Sequence, residues 1–293
     1  MKHVDKQFNK WTRCLCTVGQ VVHTLPEGRP VCGVTSLGDE VFVLREKVSD
    51  HVEVYDVMTY RLKRCLTLTN AEAFADMTSC EHYHCVYIAD HNVMCIHRLD
   101  VGLRGAITQW SVNDKPSGLS VNKVHNVLVA CRVVRKIKEF SSHGVLLREM
   151  TLPDDVSSTP CHAIQLTTGQ FVVCHGSRTR GDAVHRVCLL GDDVTQIVHS
   201  HGGQRGSDTG QYDVPVHLAV DDNEFVFVVD LNNQRVTLLS PTLNYVRQVV
   251  SRDKLKWDPL RLHLDVQRRR LYVTDNEWKD GKWTAGRVVV FSV

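Results

Sequence analysis

Three aspartates and two histidines stand in short polar turns after apolar runs, where their side chains suit metal chemistry. They are Asp90, His91, His175, Asp230 and Asp275. Imidazole and carboxylate groups are common ligands of divalent transition metals. If the fold brings these turns together, they would form a metal-dependent hydrolase or lyase site. The chain contains neither an HExxH pair nor a GxSxG elbow, so no zinc-peptidase helix or serine nucleophile is indicated.

A second set of side chains suits partner binding. Trp and Arg are favoured anchors at protein interfaces, and Arg beside exposed aromatic rings also binds RNA. These residues fall in predicted loops, including a long loop over 276–286. Acidic residues in the same loops nearly balance the basic ones, which favours a protein or peptide ligand and leaves RNA as the alternative. The candidate partner-binding residues are Arg45, Arg132, Arg135, Arg178, Arg180, Arg205, Trp278 and Trp283.

Composition narrows the function classes further. The 35 basic and 33 acidic residues leave a net charge of +2, too small to indicate DNA or acidic lipid. No apolar run reaches the roughly 18 to 20 residues that cross a bilayer. Eleven cysteines, several of them inside apolar runs, read as reduced structural thiols. We therefore expect a cytoplasmic protein without a cofactor, monomeric as an isolated domain.

An internal repeat indicates what positions these residues. Apolar segments that open with proline begin at Pro30, Pro116, Pro160, Pro215 and Pro259, and a period of about 43 residues predicts an unmarked member near Ala73. Each of the six units contains short β-branched or aromatic runs separated by Gly, Asp and Asn, which is typical of strands and turns.

Four strands in each of six units predict an all-β fold, a six-bladed β-propeller of four-stranded antiparallel blades. The repeat is too long for a parallel solenoid and lacks helical periodicity. The last unit ends after its third strand, so we expect the N-terminal strand over 11–17 to pair with 287–293 and close the ring. This makes 1–293 a single domain. The predicted blades are 29–70, 71–115, 116–159, 160–214, 215–257, and 258–293 plus 11–17.

One blade carries a sharper motif. The connection over 202–215, the run Leu218-Ala219-Val220-Asp221 and the segment 228–236 together resemble an NHL repeat. The apolar-Asp step recurs at Asp90 and Asp275, whereas Arg45, Cys131 and His175 stand near that position in the other three blades. Short Asp and Asn side chains there suit turn building.

The resemblance implies a recognition function. Propellers of this group are commonly the recognition end of larger proteins, notably the tripartite-motif ubiquitin ligases, where they bind protein or RNA. The sequence contains no RING finger, B-box or coiled coil, so a ligase association would concern a longer parent protein.

Overall fold

The computed structural model describes residues 19–46, 51–68, 72–102, 106–153, 159–177 and 184–293. These residues form strands and turns, with one short 3-10 helix at Arg252–Lys254. Within these ranges no helix is long and apolar enough to cross a membrane. The predicted all-β class is confirmed.

In the described ranges, twenty-four strands form six four-stranded antiparallel sheets, the blades of a β-propeller. Blade 1 contains β2 (Val31–Leu37), β3 (Glu40–Arg45), β4 (His51–Asp56) and β5 (Leu62–Thr67). Blade 2 contains β6 (Phe74–Cys80), β7 (Cys85–Asp90), β8 (Cys95–Asp100) and β9 (Ala106–Ser111). Blade 3 contains β10 (Pro116–Val121), β11 (Val127–Cys131), β12 (Lys136–Phe140) and β13 (Leu146–Thr151).

The second half of the ring has the same order. Blade 4 contains β14 (Pro160–Gln165), β15 (Phe171–His175), β16 (His185–Leu190) and β17 (Ile197–Gly203). Blade 5 contains β18 (Pro215–Val220), β19 (Val226–Asp230), β20 (Arg235–Leu239) and β21 (Tyr245–Val250). Blade 6 contains β22 (Asp258–Asp265), β23 (Arg270–Lys279), β24 (Lys282–Ser292) and β1 (Val21–Thr24).

Burial explains why these segments become strands. The second strands of blades 2 to 5 are buried along their whole length, so their side chains fill the space on both faces of the blade. Such strands read as continuous apolar runs rather than alternating ones. The fourth strands are more exposed, as in Leu62–Thr67, where exposed and partly buried residues are mixed. The core therefore lies between neighbouring blades.

The ring closes as expected in principle, through an N-terminal strand that completes the last blade. That strand is β1, in which Val21 pairs with Phe291 and Thr24 with Val289. An isolated bridge joins Gly28 to Gly286 just beyond it. The predicted segment 11–17 lies outside the described residues.

The first strands of the blades, which we call the inner strands, contact one another in succession and surround a central channel. They are β2, β6, β10, β14, β18 and β22. Turns between second and third strands lie on the same side as the connections between blades, because antiparallel neighbours alternate in direction. We call this side the connection face.

Candidate functional site

A pocket of about 260 Å³ opens on the connection face at the mouth of the channel. We call it the mouth pocket. Its apolar wall consists of Val214, Val216, Leu231 and Leu260. The predicted partner-binding residues Arg132, Trp278 and Trp283 also line it, together with Arg261. Arg132 and the Trp278–Trp283 pair, from distant parts of the sequence, thus meet in one concave site.

The two tryptophans are held by a hairpin. We expected a loop over 276–286, but β23 and β24 extend through it, and Trp278 lies opposite Trp283 across the ladder. Asp280 and Gly281 have positive φ values of 52° and 77°, as the Asp-Gly turn of a tight hairpin requires. The rings meet edge to face with centroids 4.8 Å apart. Trp278 remains 45% exposed.

The floor of the mouth pocket leads to a ring of equivalent positions. In the inner strands of blades 1 to 5 this position comes two residues after the first residue of the pairing ladder, past a β-bulge, and in blade 6 it lies two residues after Pro259, within the bulge. The six residues are one aspartate, two histidines, one arginine and two glycines. In blade order they are Gly33, Asp76, Gly118, His162, His217 and Arg261.

The four polar members of this ring contact one another around Asp76. Atom Oδ2 of Asp76 lies 3.2 Å from Nε2 of His217 and 3.8 Å from Nε2 of His162. Atom Oδ1 lies 3.2 Å from Nε of Arg261. The side chains of Asp76, His162 and His217 are 1%, 2% and 7% exposed. The ring therefore forms a buried polar layer across the channel, which we call the channel cluster.

Backbone groups of blade 3 hold the channel cluster in place. The N–H of Leu119 donates to Asp76 Oδ2 at 2.8 Å, and Nε2 of His162 donates to the Leu119 carbonyl at 2.8 Å. A Cβ atom on Gly118 would lie 2.5 Å from the Cys161 carbonyl oxygen and 2.9 Å from the His162 ring, closer than such atoms approach. Glycine at this position therefore makes room for the imidazole.

The protonation states follow from burial and charge. Burial lowers the pKa of His162 to about 3 and also lowers the pKa of His217. Burial pushes the pKa of Asp76 upward, but the hydrogen bond from His217 and the charge of Arg261 outweigh it and hold that pKa below its usual range. At neutral pH two uncharged imidazoles therefore face an ionised carboxylate, whose charge Arg261 balances.

A second cavity, of about 210 Å³, lies on the other side of this layer and is lined by His162, His217 and His263. The His263 ring contacts two hydroxyl groups, with Nε2 2.8 Å from Ser36 Oγ and Nδ1 3.3 Å from Thr35 Oγ1. The channel is thus divided into a mouth pocket, the channel cluster and an interior cavity.

The remaining predicted partner-binding residues lie elsewhere on the connection face. Arg45 donates to the carbonyls of Pro26, Arg29 and Gly286 and pairs with Glu53. These bonds give it a part in closing the ring, and its role in partner binding stays a prediction.

Two other arginines of that set also have assigned contacts. Arg135 donates to the Pro153 carbonyl, and Arg205 pairs with Asp213 at 2.9 Å. Neither lines the mouth pocket. Arg178 and Arg180 lie outside the described residues.

The five residues predicted as an alternative metal set are not brought together. Asp90 and Asp275 accept backbone N–H groups from the connections before their blades, with Trp257 N 2.7 Å from Asp275. Asp230 does the same for Asp213. His91 contacts the Pro116 carbonyl at 3.4 Å, and His175 is buried opposite Pro160. Such bonds fit the turn-building role of these aspartates.

Across the described ranges, Asp76, His162 and His217 form the one group of three His, Cys, Asp or Glu side chains that fits around a metal ion. Sequence reasoning missed this group. A signal was present, since His162, His217 and Arg261 all stand two residues after the proline that opens their repeat. Aligning the repeats on that proline would have shown three polar residues in strands that are otherwise apolar.

Comparisons with solved structures agree with the propeller fold. The similar structures include hydrazine synthase of Kuenenia stuttgartiensis, with a TM-score of 0.63 and 12% identity over 94% of this chain and 98% of that one. A catalytically inactive virginiamycin B lyase from Staphylococcus aureus with quinupristin gives 0.61 and 9% over 90% and 95%. The β-propeller domain of Myceliophteria thermophila Cps50 (Swd1) gives 0.57 and 13% over 94% and 99%.

At these identities the likeness shows the fold alone. No family model matches the sequence. A comparison with curated proteins also finds no match. The propeller part of the predicted resemblance is therefore confirmed, whereas the assignment to NHL repeats stays a prediction.

Proposed function

We propose that the protein is a non-catalytic recognition module that binds a protein or peptide partner in the mouth pocket. The observation that carries this proposal is the meeting of Trp278, Trp283 and Arg132 around one apolar concavity on the connection face. Tryptophan and arginine are the residue types that most often dominate binding energy at interfaces.

The size of the pocket favours a side chain over a free small molecule. Pockets that enclose small ligands usually measure about 300 to 1,000 Å³, whereas the mouth pocket measures about 260 Å³. It suits one or two side chains of a partner whose remaining surface rests on the surrounding loops. The apolar wall and Arg132 favour an apolar residue next to an acidic one.

The pocket is also preorganised. Nε of Arg132 donates to Thr159 Oγ1 at 2.9 Å and its Nη2 to the Gly176 carbonyl at 3.4 Å. The tryptophans stand on a paired hairpin that continues two strands of a blade. Binding to groups already held in place loses little conformational entropy.

Charge pairing argues against RNA as the main ligand. Arg205, Arg235 and Arg287 are each paired with an aspartate on the connection face at 2.7 to 2.9 Å. A site for single-stranded RNA needs a basic groove along which phosphates run. RNA binding therefore remains the alternative that the experiment below distinguishes.

The wider biological role belongs to the same proposal. The resemblance to NHL propellers suggests the substrate-recognition part of a larger ubiquitin-ligase-like protein. Among the described cysteines nine are free and eight of these are buried, which suits a reducing compartment and a cytoplasmic location. We expect the isolated domain to be monomeric.

The experiment is selection from a displayed random peptide library, followed by affinity measurement for the selected peptides. We expect Trp278→Ala to weaken binding by about 30-fold, in line with about 2 kcal/mol for truncating a tryptophan anchor. Met58→Ala is the matched control, because Met58 is 75% exposed and lies in the turn between β4 and β5 on the opposite face. A labelled random RNA is tested in parallel.

The outcomes separate the alternatives. Peptides that bind equally well to the wild type and to Trp278→Ala would contradict the mouth pocket as the site. Salt-dependent RNA binding without any selected peptide would favour the nucleic-acid alternative.

A further inference from the structure

We propose that Asp76, His162 and His217 bind a divalent transition metal ion, with Zn²⁺ the best fit, at the centre of the channel. The inference does not depend on the proposed function. The site would lie between the mouth pocket and the interior cavity, and each ligand comes from the inner strand of a different blade.

The spacing of the donor atoms fits such an ion. One donor atom from each of the three residues lies within 4.8 Å of the other two. Nε2 of His162 donates to the Leu119 carbonyl and Nε2 of His217 contacts Asp76 Oδ2, which leaves Nδ1 of each ring as the nitrogen open to the ion. Tetrahedral Zn²⁺ with bonds of about 2.0 to 2.1 Å holds neighbouring ligand atoms about 3.3 Å apart. Side-chain movements that bring these atoms closer by at most about 1.5 Å would therefore enclose the ion.

Unsatisfied atoms supply a second, independent observation. Both Nδ1 atoms, of His162 and His217, are buried without a hydrogen-bond partner in the described part of the chain. Buried polar atoms in native proteins are normally paired with protein, water or an ion. An imidazole that binds a metal through one nitrogen carries its proton on the other. Each ring thus has a nitrogen that hydrogen bonding leaves available.

The donor set selects the class of metal. Two imidazoles and one carboxylate suit Zn²⁺ and other first-row transition ions, whereas Mg²⁺ and Ca²⁺ prefer oxygen ligands. Three protein ligands leave a fourth position for water or another small ligand. The interior cavity beside both histidines provides space for it.

Arg261 affects the site without occupying it. Its guanidinium donates to the Ala75 carbonyl at 2.6 Å and to the Leu260 carbonyl at 3.1 Å, so contacts other than Asp76 also hold it. With the ion bound, one carboxylate faces a divalent cation and a guanidinium, and the excess positive charge favours an anionic fourth ligand such as hydroxide or a carboxylate.

The test uses the full chain, freed of metal with EDTA and then titrated with ZnCl₂ by calorimetry, with metal content measured after desalting. We expect about one tightly bound equivalent in the wild type. We expect His162→Ala and His217→Ala each to weaken that site at least tenfold. His263→Ala is the matched control, because His263 lines the same interior cavity but lies outside the channel cluster, and it should retain the equivalent. MgCl₂ should not compete.

The chain contains 16 histidines, which could bind zinc adventitiously. The comparison between variants distinguishes such binding from binding at the proposed site. A wild type that retains no zinc, or variants at His162 and His217 that retain as much as the wild type, would overturn the proposal. If these variants fail to fold, Co²⁺ added to the wild type gives a direct measurement. The intense visible bands of four-coordinate Co²⁺, removed by Zn²⁺, support the site, and the weak spectrum of hydrated Co²⁺ overturns it.

Discussion

Two connections between neighbouring blades, which we call joints, are held by side chains of opposite charge. At the joint between blades 4 and 5, Asp230 lies opposite Pro215 and accepts the backbone N–H of Asp213 at 2.7 Å. At the joint that closes the ring, Arg45 lies opposite Val31 and donates to three backbone carbonyls, including Pro26 and Gly286. The requirement at both joints is to satisfy the polar backbone of the connection, and the path of that connection decides whether an acceptor or a donor does so.

The two joints differ in burial. The side chain of Asp230 is fully buried and its partner Arg235 is 14% exposed. Arg45 is 10% exposed, its partner Glu53 is 22% exposed, and two of the carbonyls it reaches lie in exposed surroundings. Water can replace a lost partner at the surface but not in the interior. The aspartate joint should therefore be the more sensitive to substitution.

The largest effect is expected for Asp230→Ala. Removing the carboxylate leaves Arg235 without its ion pair and the Asp213 N–H without its acceptor. Breaking a buried pair on one side typically costs about 3 to 5 kcal/mol. We expect a loss of that order in the free energy of unfolding, measured by urea denaturation with circular dichroism.

Asp230→Asn is the control for that experiment. It keeps an oxygen acceptor for the Asp213 N–H but loses the charge that faces Arg235, so its loss should be smaller than that of the alanine variant. A loss below about 1 kcal/mol in Asp230→Ala would contradict a dominant role for this joint.

A smaller effect is expected for Arg45→Ala. Its bonds to Pro26, Arg29 and Gly286 hold the connection next to β1, but solvent can reach part of that surface. We expect a loss of about 1 to 2 kcal/mol in the free energy of unfolding by the same denaturation measurement. Arg45→Lys should fall in between, because one ammonium group cannot reproduce the geometry of a guanidinium that reaches several acceptors. A loss equal to that of Asp230→Ala would remove the distinction between the joints.

The joints show which parts of the fold the sequence could predict. The turn-building role of Asp230 and Asp275 could be predicted from the sequence, because a short acceptor side chain directly after an apolar strand can bond the backbone of the adjacent turn. The period of the repeat also placed Arg45 at the position that Asp230 and Asp275 occupy in their own blades. The closing strand was expected, but β1 (Val21–Thr24) is only four residues long, and nothing local distinguishes so short a run from a loop.

The channel cluster was harder to predict for a physical reason. Its four polar residues come from four blades, and a bulge at the start of each of these inner strands shifts which side chain faces the channel. Strand alternation alone therefore assigns the wrong face. Trp278 and Trp283 were recognised as candidates by residue type, but their pairing depended on Asp280-Gly281 acting as a hairpin turn instead of part of a loop.

The smallest effect concerns how the stability of the joint that contains Asp230 depends on pH. His185 is fully buried, and its Nδ1 accepts the N–H of Val214 at 2.7 Å, so the ring must be neutral to keep this bond. Burial lowers the pKa of His185 in the folded state. Because the folded pKa lies below the unfolded value of about 6.5, its contribution to stability is complete above that pH. The contribution is lost as the pH falls through the folded pKa.

His185→Gln tests this sign. The amide oxygen can still accept the Val214 N–H but cannot be protonated, so the variant should lose less stability than the wild type when the pH falls below about 6.5. The difference in slope should be a fraction of one proton, at most about 1.4 kcal/mol per pH unit, in urea denaturation series at pH 7, 6 and 5. Arg45→Lys provides the matched comparison from the other joint and should follow the wild-type slope. Parallel slopes for the wild type and His185→Gln would show that this histidine does not couple the aspartate joint to pH.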